Sequence, residues 1–472
     1  MRSLSLSLLM TTLCGCAVGP DYARPQTEGA KEFKEIQGWK LADPNDVLPR
    51  GSWWSIYHDP QLDQLMVQID ISNQTVKQAE AQYRAARAAV LSARAAYFPT
   101  ISTNAAATRG SRASSGAVTP GASVSNSISN SYNLSLDAAW ELDVWGRLRR
   151  ASESAQAGAG ASAADLEGAR LSAQAELAQD YFQLRVTDAE KAFLDDEVSG
   201  FERSLKITQN QYAVGVAKRS DVLQAETQLK STRAQALDLQ ITRAQLEHAI
   251  SVLLGRNPSN FSLAPAPLNA SIPSTPVGLP SQLLERRPDV AAAERRVIAA
   301  NAQIGVARAA YFPSLSLAGT LGYQSTAFEH LVSAANRVWS VGPSLALTLF
   351  DAGSHIAASR QARANYDATV AAYRETVLGA FRDVEDNLVA LRVLGEEQAV
   401  QDEAAKAAAD AATIELNQYK AGTVSYLEVV VAQSTALANA RSALSVRGRN
   451  LAASVALIKA VGGSWSGANE LR

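Results

Sequence analysis

Two carboxylates recur at matching points of this chain. Asp221 and Glu428 each stand six residues after a glycine, Gly215 and Gly422, in the related strings NQYAVGVAKRSDVLQAE (210–226) and NQYKAGTVSYLEVVVAQ (417–433). Facing a shared lumen in a multi-copy assembly, such acids would raise each other's pKa and attract cations. At a helix start they would only complement the helix dipole. Both readings stand for Asp221, since Ser220-Asp221 is a good capping pair. Glu428 reads as lying further into its helix, which favours a ring of carboxylates. Little else could do chemistry. His58, His248, His330 and His355 are scattered without metal-ligand spacing. Gly158 and Gly160 fall inside an alanine-rich helical stretch rather than after a strand, which excludes a dinucleotide loop. The remaining charges read as solvated helix faces. Nothing here forms a catalytic constellation, so an enzyme is the least supported class, with no cofactor or metal expected.

The elements that would position the two acids come in duplicate. ARAAYFP occupies 93–99 and again 307–313, and the two NQY strings follow in the same order, so the chain is an internal duplication. The first repeat spans about 61–280 and the second 281–472. Leu62 to Ala96 reads as one helix, ended by Tyr97-Phe98-Pro99 because proline disfavours helix in the residue before it. Strands follow at about 100–108 and 132–143, around a Ser/Gly/Asn-rich loop at 109–131. Leu134, Leu136, Ala138, Trp140 and Leu142 alternate there with Asn133, Ser135, Asp137, Ala139, Glu141 and Asp143. The second repeat gives strands at about 314–323 and 341–350, the latter carrying Leu345, Leu347 and Leu349. From Trp145-Gly146 the period is helical to about Tyr212, and again from His355 to Tyr419. Each long helix meets a glycine turn, near 215 or 422, and a second helix follows at about 220–254 or 426–460. A Pro-rich connector over 258–288 joins the repeats, with a helix from Ser281 through Ala310. The long antiparallel hairpins have small apolar positions and read as staves in a wall of helices.

The 472 residues carry a net charge of -2, which argues against nucleic acid as a partner. Beyond the leader no stretch reaches the ~18 apolar residues of a transmembrane helix. Both cysteines, Cys14 and Cys16, lie in that leader, after Arg2 and the apolar run Leu4–Leu13. Residues 1–15 read as a signal peptide, followed by an extended, proline-punctuated segment over 16–60. Leu13-Cys14-Gly15-Cys16 resembles a bacterial lipobox. The resemblance implies cleavage before Cys16 and a lipid on its thiol. Ala17, where inner-membrane lipoproteins tend to carry Asp, favours the outer membrane.

Four amphipathic strands cannot close a barrel, and an open sheet edge is too costly in lipid. A trimer would supply twelve strands and six hairpins in a pseudo-six-fold tube. Faces bearing Asn133, Ser135, Asp137, Glu141 and Asp143 would line water, and Leu134, Leu136, Trp140 and Leu142 would meet lipid. The fold class is therefore an α+β membrane protein, with four strands per chain in a twelve-stranded trimeric β-barrel and helical hairpins forming an α-barrel.

The chain resembles the TolC-like outer membrane factors, in particular the lipoprotein branch of RND-type efflux ducts. The strings that carry the resemblance are CAVGPDY (16–22) with Arg24-Pro25, the paired Tyr-Phe-Pro, LERRPDV (284–290) and the two Asn-Gln-Tyr-x-x-Gly tips. It implies a homotrimeric, passive exit duct in the outer membrane of a Gram-negative bacterium, lipid-anchored, with a large periplasmic part. An inner-membrane RND-type pump and a periplasmic adaptor would be its partners. By the same resemblance, Val214-Gly215-Val216 and Ala421-Gly422-Thr423 meet the adaptor, and Tyr419 with Asp221 and Glu428 constricts the aperture. Val431 replaces a second acid, and Val424 a basic residue, leaving Lys218 or Arg219 as substitutes from the first tip. A protein-secretion duct of the same fold and a trimeric adhesin are the alternatives. The lipid anchor disfavours the first and the duplication the second.

Overall fold

A computed structural model describes residues 17–26, 52–113, 126–270 and 287–463. Its elements run in chain order as α1 (Pro60–Ser72), α2 (Gln74–Ala95), β1 (Thr100–Ala113), β2 (Asn126–Leu142), α3 (Arg147–Ala213) and α4 (Arg219–Leu253). The second half gives α5 (Pro288–Ala309), β3 (Ser314–Ser325), β4 (Arg337–Ala346), α6 (Ser354–Ala421) and α7 (Tyr426–Ala460). They fall into two compact units. One takes Met1–Pro25, Arg84–Ala161 and Ala293–Ala372; the other takes Gln26–Tyr83, Ser162–Ala292 and Tyr373–Arg472.

The first unit is built on one antiparallel sheet of order β1-β2-β3-β4. Thr100 faces Ala139, Ala139 also faces Ala318, and Ser314 faces Ala346. β1 and β2 are longer than the sequence suggests, because 109–113 and 126–131 join the ladder. Their Ser, Asn and Gly content looked like loop, but a ladder needs only backbone donors and acceptors from a neighbour. β4 lies four residues earlier than expected and stops at Ala346, where β3 begins at Ser314 and its own-chain partner ends. Two indoles lock the strand ends. Trp140 Nε1 donates to Tyr97 O (2.9 Å) and Trp145 Nε1 to Pro313 O (2.7 Å). Trp145 also stacks on Phe312, with ring centroids 4.8 Å apart.

The first unit also explains the 17–24 string, which crosses α5 and the start of α3. Val18 N donates to Trp145 O (3.0 Å), and Asn301 Nδ2 to Pro20 O (3.0 Å). Arg150 reaches Asp21 (2.7 Å), while Tyr22 and Arg24 both bind Glu294, at 3.0 Å and 2.8 Å. Gly19, at φ +120°, sits so close to α5 that a side chain there would start 2.6 Å from Gly305 Cα.

The second unit has its main core where the hairpins meet α1. Leu62, Met66 and Ile69 pack with Leu177, Phe182, Leu184, Ile250, Leu451 and Val455. Part of the segment expected to be extended is a 3-10 turn at Trp53–Tyr57, whose Tyr57 fills this core and shares a 2.7 Å hydrogen bond with Ser454. The expected single helix over 62–96 is broken at Asn73. That residue is extended (ψ 126°), accepts from Val76 N (2.9 Å) to cap α2, and donates to Leu253 O (2.7 Å). Ser72-Asn73 is a capping signal that the helical periodicity concealed.

The connector is tied down by buried charge. Arg185 binds Asp188 (2.7 Å) and Ala264 O (3.0 Å), and Arg243 binds Asp188 from the other side (2.8 Å). α5 starts at Pro288, whose fixed φ suits a first turn. The earlier part of the helix expected from Ser281 lies outside the described residues. Arg287, beside it, donates to Ala460 O (2.8 Å) at the end of α7 and pairs with Asp289 (2.7 Å) and Asp383 (3.3 Å). Thus the described part of that string, Arg287 to Val290, is a helix start joined to a helix end.

Candidate functional site: the two-faced sheet and the hairpin tips

In the first unit, alternation sorts the strands into two faces. Directly paired residues share a face, so the ladder sets Asn104, Ser135 and Gly322 together, and likewise Ser102, Asp137, Thr320 and Ser340. Asp137 anchors this polar face, accepting from Ser135 Oγ (2.9 Å) and Thr320 Oγ1 (2.7 Å). Glu141 is held by both ends of the Arg147 guanidinium. Asp143 does not belong to this face. It lies past the end of β2 and caps α3, accepting from Leu148 N (2.9 Å) and Arg149 N (2.8 Å). The opposite face carries Ile101, Leu136, Leu321, Trp339, Val341 and Leu345, each half or more exposed. So much contiguous apolar surface on a sheet marks an interaction with lipid or protein. No helix among the described residues is long and apolar enough to cross a membrane.

In the second unit, the two tips are near copies. Gly215 (φ +80°) and Gly422 (φ +78°) reverse the chain, a conformation that costs glycine nothing. Val216 N returns to Gln211 O (2.8 Å), and Thr423 N to Gln418 O (3.0 Å). Val214, Val216, Ala421 and Thr423 are exposed around them.

Asp221 and Glu428 occupy the same place in their helices. Asp221 Oδ2 accepts from Lys218 N (3.0 Å), and Glu428 Oε1 accepts from Ser425 N (3.4 Å) and Ser425 Oγ (2.9 Å). Glu428 therefore lies no further into its helix than Asp221, contrary to expectation, and each acid caps the backbone N–H three residues before it. The cap residue of α4 is Lys218 rather than Ser220. The Lys218 and Arg219 side chains are exposed and make no ion pair among the described residues.

Tyr419 is buried within the chain. It packs edge to face on Tyr426, and with Ala225 and Val429 they form an apolar plug, flanked by Leu205, Leu416 and Val424, that joins the two hairpins. Burial raises the Tyr419 phenol, and it pushes Tyr426 up to about 12. The Tyr419 hydroxyl has no hydrogen bond of normal geometry. Its polar neighbour Thr208 gives its own proton to Ser204 O (3.0 Å). Sequence reasoning missed Tyr426 and Val429. The signal was the cluster of Tyr426, Leu427, Val429, Val430 and Val431 around Glu428, dense for a helix otherwise rich in alanine.

Comparison with known proteins decides what this combination is. The pattern described as outer membrane efflux protein matches residues 65–256 and 279–463. The chain belongs to the outer membrane efflux protein family. The toluene efflux pump outer membrane protein TtgC of Pseudomonas putida is 31% identical over 98% of this chain and 95% of its own length. The antibiotic efflux pump outer membrane protein ArpC of Pseudomonas putida shows the same identity and coverage. The solved outer-membrane channel OprN is 32% identical, with a TM-score of 0.86 over 95% of this chain and 100% of its own. Members of the outer membrane efflux family are conduits and not enzymes. The sheet described above is one third of a twelve-stranded barrel closed by three copies. Its exposed apolar face is the barrel exterior, and its polar face the water-filled interior.

Proposed function

We propose that this protein is the outer-membrane exit duct of a tripartite efflux system for small toxic organic compounds. An inner-membrane pump of RND type supplies the energy, a periplasmic adaptor docks on the tips Val214-Gly215-Val216 and Ala421-Gly422-Thr423, and the duct conducts passively. The observation that carries this reading is the two-faced sheet with open edges, continuous through α3 and α6 with two helical hairpins. The names of TtgC and ArpC, which refer to toluene and to antibiotics, support an organic cargo.

A lipid on Cys16 is part of the proposal. Cys16 itself lies outside the described residues. Val18 is hydrogen-bonded to Trp145 O, two residues before α3, where the sheet ends. A lipid on the residue before Ala17 would therefore enter the membrane beside the sheet. In the closed state Asp221 and Glu428 would ring the aperture while capping their helices, and Tyr419 would hold the two hairpins of each copy together.

Purified trimers in a planar bilayer test the reading: small, gated, cation-biased currents are expected. Deleting the gene should sensitise cells to organic toxicants. Unchanged susceptibility together with no conductance from verified trimers would overturn it.

A further inference from the structure

The strand positions that share the exterior face of the sheet hold two charged residues, Arg109 on β1 and Arg337 on β4, and no acid. Both lie toward the end of the sheet away from α3. Arg109 faces Asn130 on β2, twelve positions before Leu142, and Arg337 faces Tyr323 on β3, eight positions after Leu315. At about 3.3 Å per residue these runs cover about 40 Å and about 26 Å along the strands. Barrel strands tilt by roughly 40°, so the arginines stand about 30 Å and about 20 Å beyond the Leu142–Leu315 pair, bracketing the roughly 25 Å apolar band of an outer-membrane barrel. The near end of the same face carries Ile101, Trp140, Leu317 and Leu345 and no charge. Cations at only one boundary match a bilayer whose head groups are strongly anionic in only one leaflet.

The loop between β3 and β4 shows which side of the sheet this boundary serves. Its 3-10 turn, Phe328–His330, is held by Asn336 Nδ2 donating to His330 O (2.6 Å). Phe328 meets Tyr132 edge to face, ring centroids 5.6 Å apart, and Tyr132 shares the face of Leu134 and Leu136. The loop therefore folds onto the exterior of the sheet, not across its polar face, and Phe328 is still 70% exposed there. Arg109 and Arg337 are exposed and make no ion pair among the described residues. Over 104–135 and 320–338 the sequence sets Arg109, Arg112 and Arg337 against Glu329 alone, so this end is net positive. We propose that the rim formed by Arg109 and Arg337 binds the phosphorylated glycolipid of the outer leaflet. Each guanidinium takes a head-group phosphate, whose oxygens its planar fork matches, and the acyl chains run down past Tyr132, Phe328 and Trp339. The trimer carries six such arginines, two from each chain. The proposal rests on the barrel exterior and is independent of the cargo.

Defined lipids added to native trimers in detergent, read by native mass spectrometry, test the rim. Diphosphoryl lipid A should be retained at least tenfold better than its dephosphorylated form or phosphatidylethanolamine, and R109Q/R337Q trimers should lose that preference. Equal retention of the phosphorylated and dephosphorylated lipid by the native protein would overturn the proposal. So would an undiminished preference in R109Q/R337Q trimers. Inorganic phosphate at millimolar concentration should leave the lipid bound; full displacement would mean a free-anion site and not a lipid seat. F328W gives a second readout that needs no arginine change. In bilayers its fluorescence should be quenched by brominated acyl chains, whereas quenching by aqueous iodide alone would put the loop in water and remove the lipid from this rim.

Discussion

Tyr419 and Tyr426 meet edge to face across the second turn, ring centroids 5.1 Å apart and planes at 61°, within the plug that joins the two hairpins of one chain. The plug is apolar, and of its two tyrosine hydroxyls the one at Tyr419 has no hydrogen bond of normal geometry. Tyr419→Phe is therefore expected to be neutral or to stabilise by up to about 1 kcal/mol, since an unpaired buried polar group is a cost. Tyr426→Ala should lose about 3 kcal/mol and raise channel conductance. Thermal melts and single-channel recordings check both. A Tyr419→Phe channel that opened freely would mean that the hydroxyl is what holds the tip.

Glu428 has two roles that substitution can separate. Glu428→Gln keeps an acceptor for Ser425 and removes the charge, so cation bias should fall while stability holds. Glu428→Ala removes the cap as well, at about 1 kcal/mol. Reversal potentials under a salt gradient, compared with melting midpoints, distinguish them. Equal cation bias in all three proteins would exclude a lumenal carboxylate.

Gly19→Ala should unseat the amino-terminal segment. The new methyl group meets Gly305 backbone, and φ +120° is strained for alanine. Limited proteolysis should then cut between 17 and 26 at least tenfold faster than in the native protein. Asn301→Ala, which loses only its bond to Pro20 O, should have a smaller effect in the same direction.

Arg287→Met keeps the aliphatic stem but leaves Ala460 O without its charged donor, for a loss of about 2 kcal/mol in denaturant unfolding. Arg287→Lys should recover little, because one ammonium cannot serve Ala460 O, Asp289 and Asp383 together as the guanidinium fork does.

Asp180 has its pKa raised from 3.8 to about 6, first by burial and then by Glu176. The folded state thus holds the proton more tightly than the unfolded chain, so this group's contribution falls as pH rises from about 4 to about 6. Asp180→Asn should flatten that slope and stabilise the protein at pH 7 by about 1 kcal/mol, discounted for partial exposure. Melting midpoints from pH 4 to pH 8 measure it, and an unchanged slope would exclude Asp180 as its source.

Much of this architecture was legible in the residues. The duplicated Tyr-Phe-Pro marks the strand starts, Gly215 and Gly422 mark the tips, and the Leu134–Leu142 alternation marks a two-faced strand. What stayed hidden had local causes. Asn73 interrupts a helix without breaking its apolar period. Ser, Gly and Asn at 109–113 and 126–131 pair through backbone alone. β4 read as reaching 350 because Leu347 and Leu349 keep the alternation, yet within one chain nothing lies beside them. At the tips the acids were visible as a matched pair. Their matching capping geometry was not, because the cap position before α4 is Lys218, a residue with no capping preference.

Pro20, Tyr22 and Arg24 find their partners 270 to 281 residues further along the chain, while Asp21 pairs with Arg150, 129 residues on. Synthesis delivers the amino end first, so this end must wait to be fully seated until almost two thirds of the polypeptide has followed it. A chain truncated after the first repeat offers neither Glu294 nor Asn301. Seating of the amino end is therefore a built-in report that the second repeat has arrived and folded. A protease that trims loose amino ends would remove unfinished copies before they could enter an assembly.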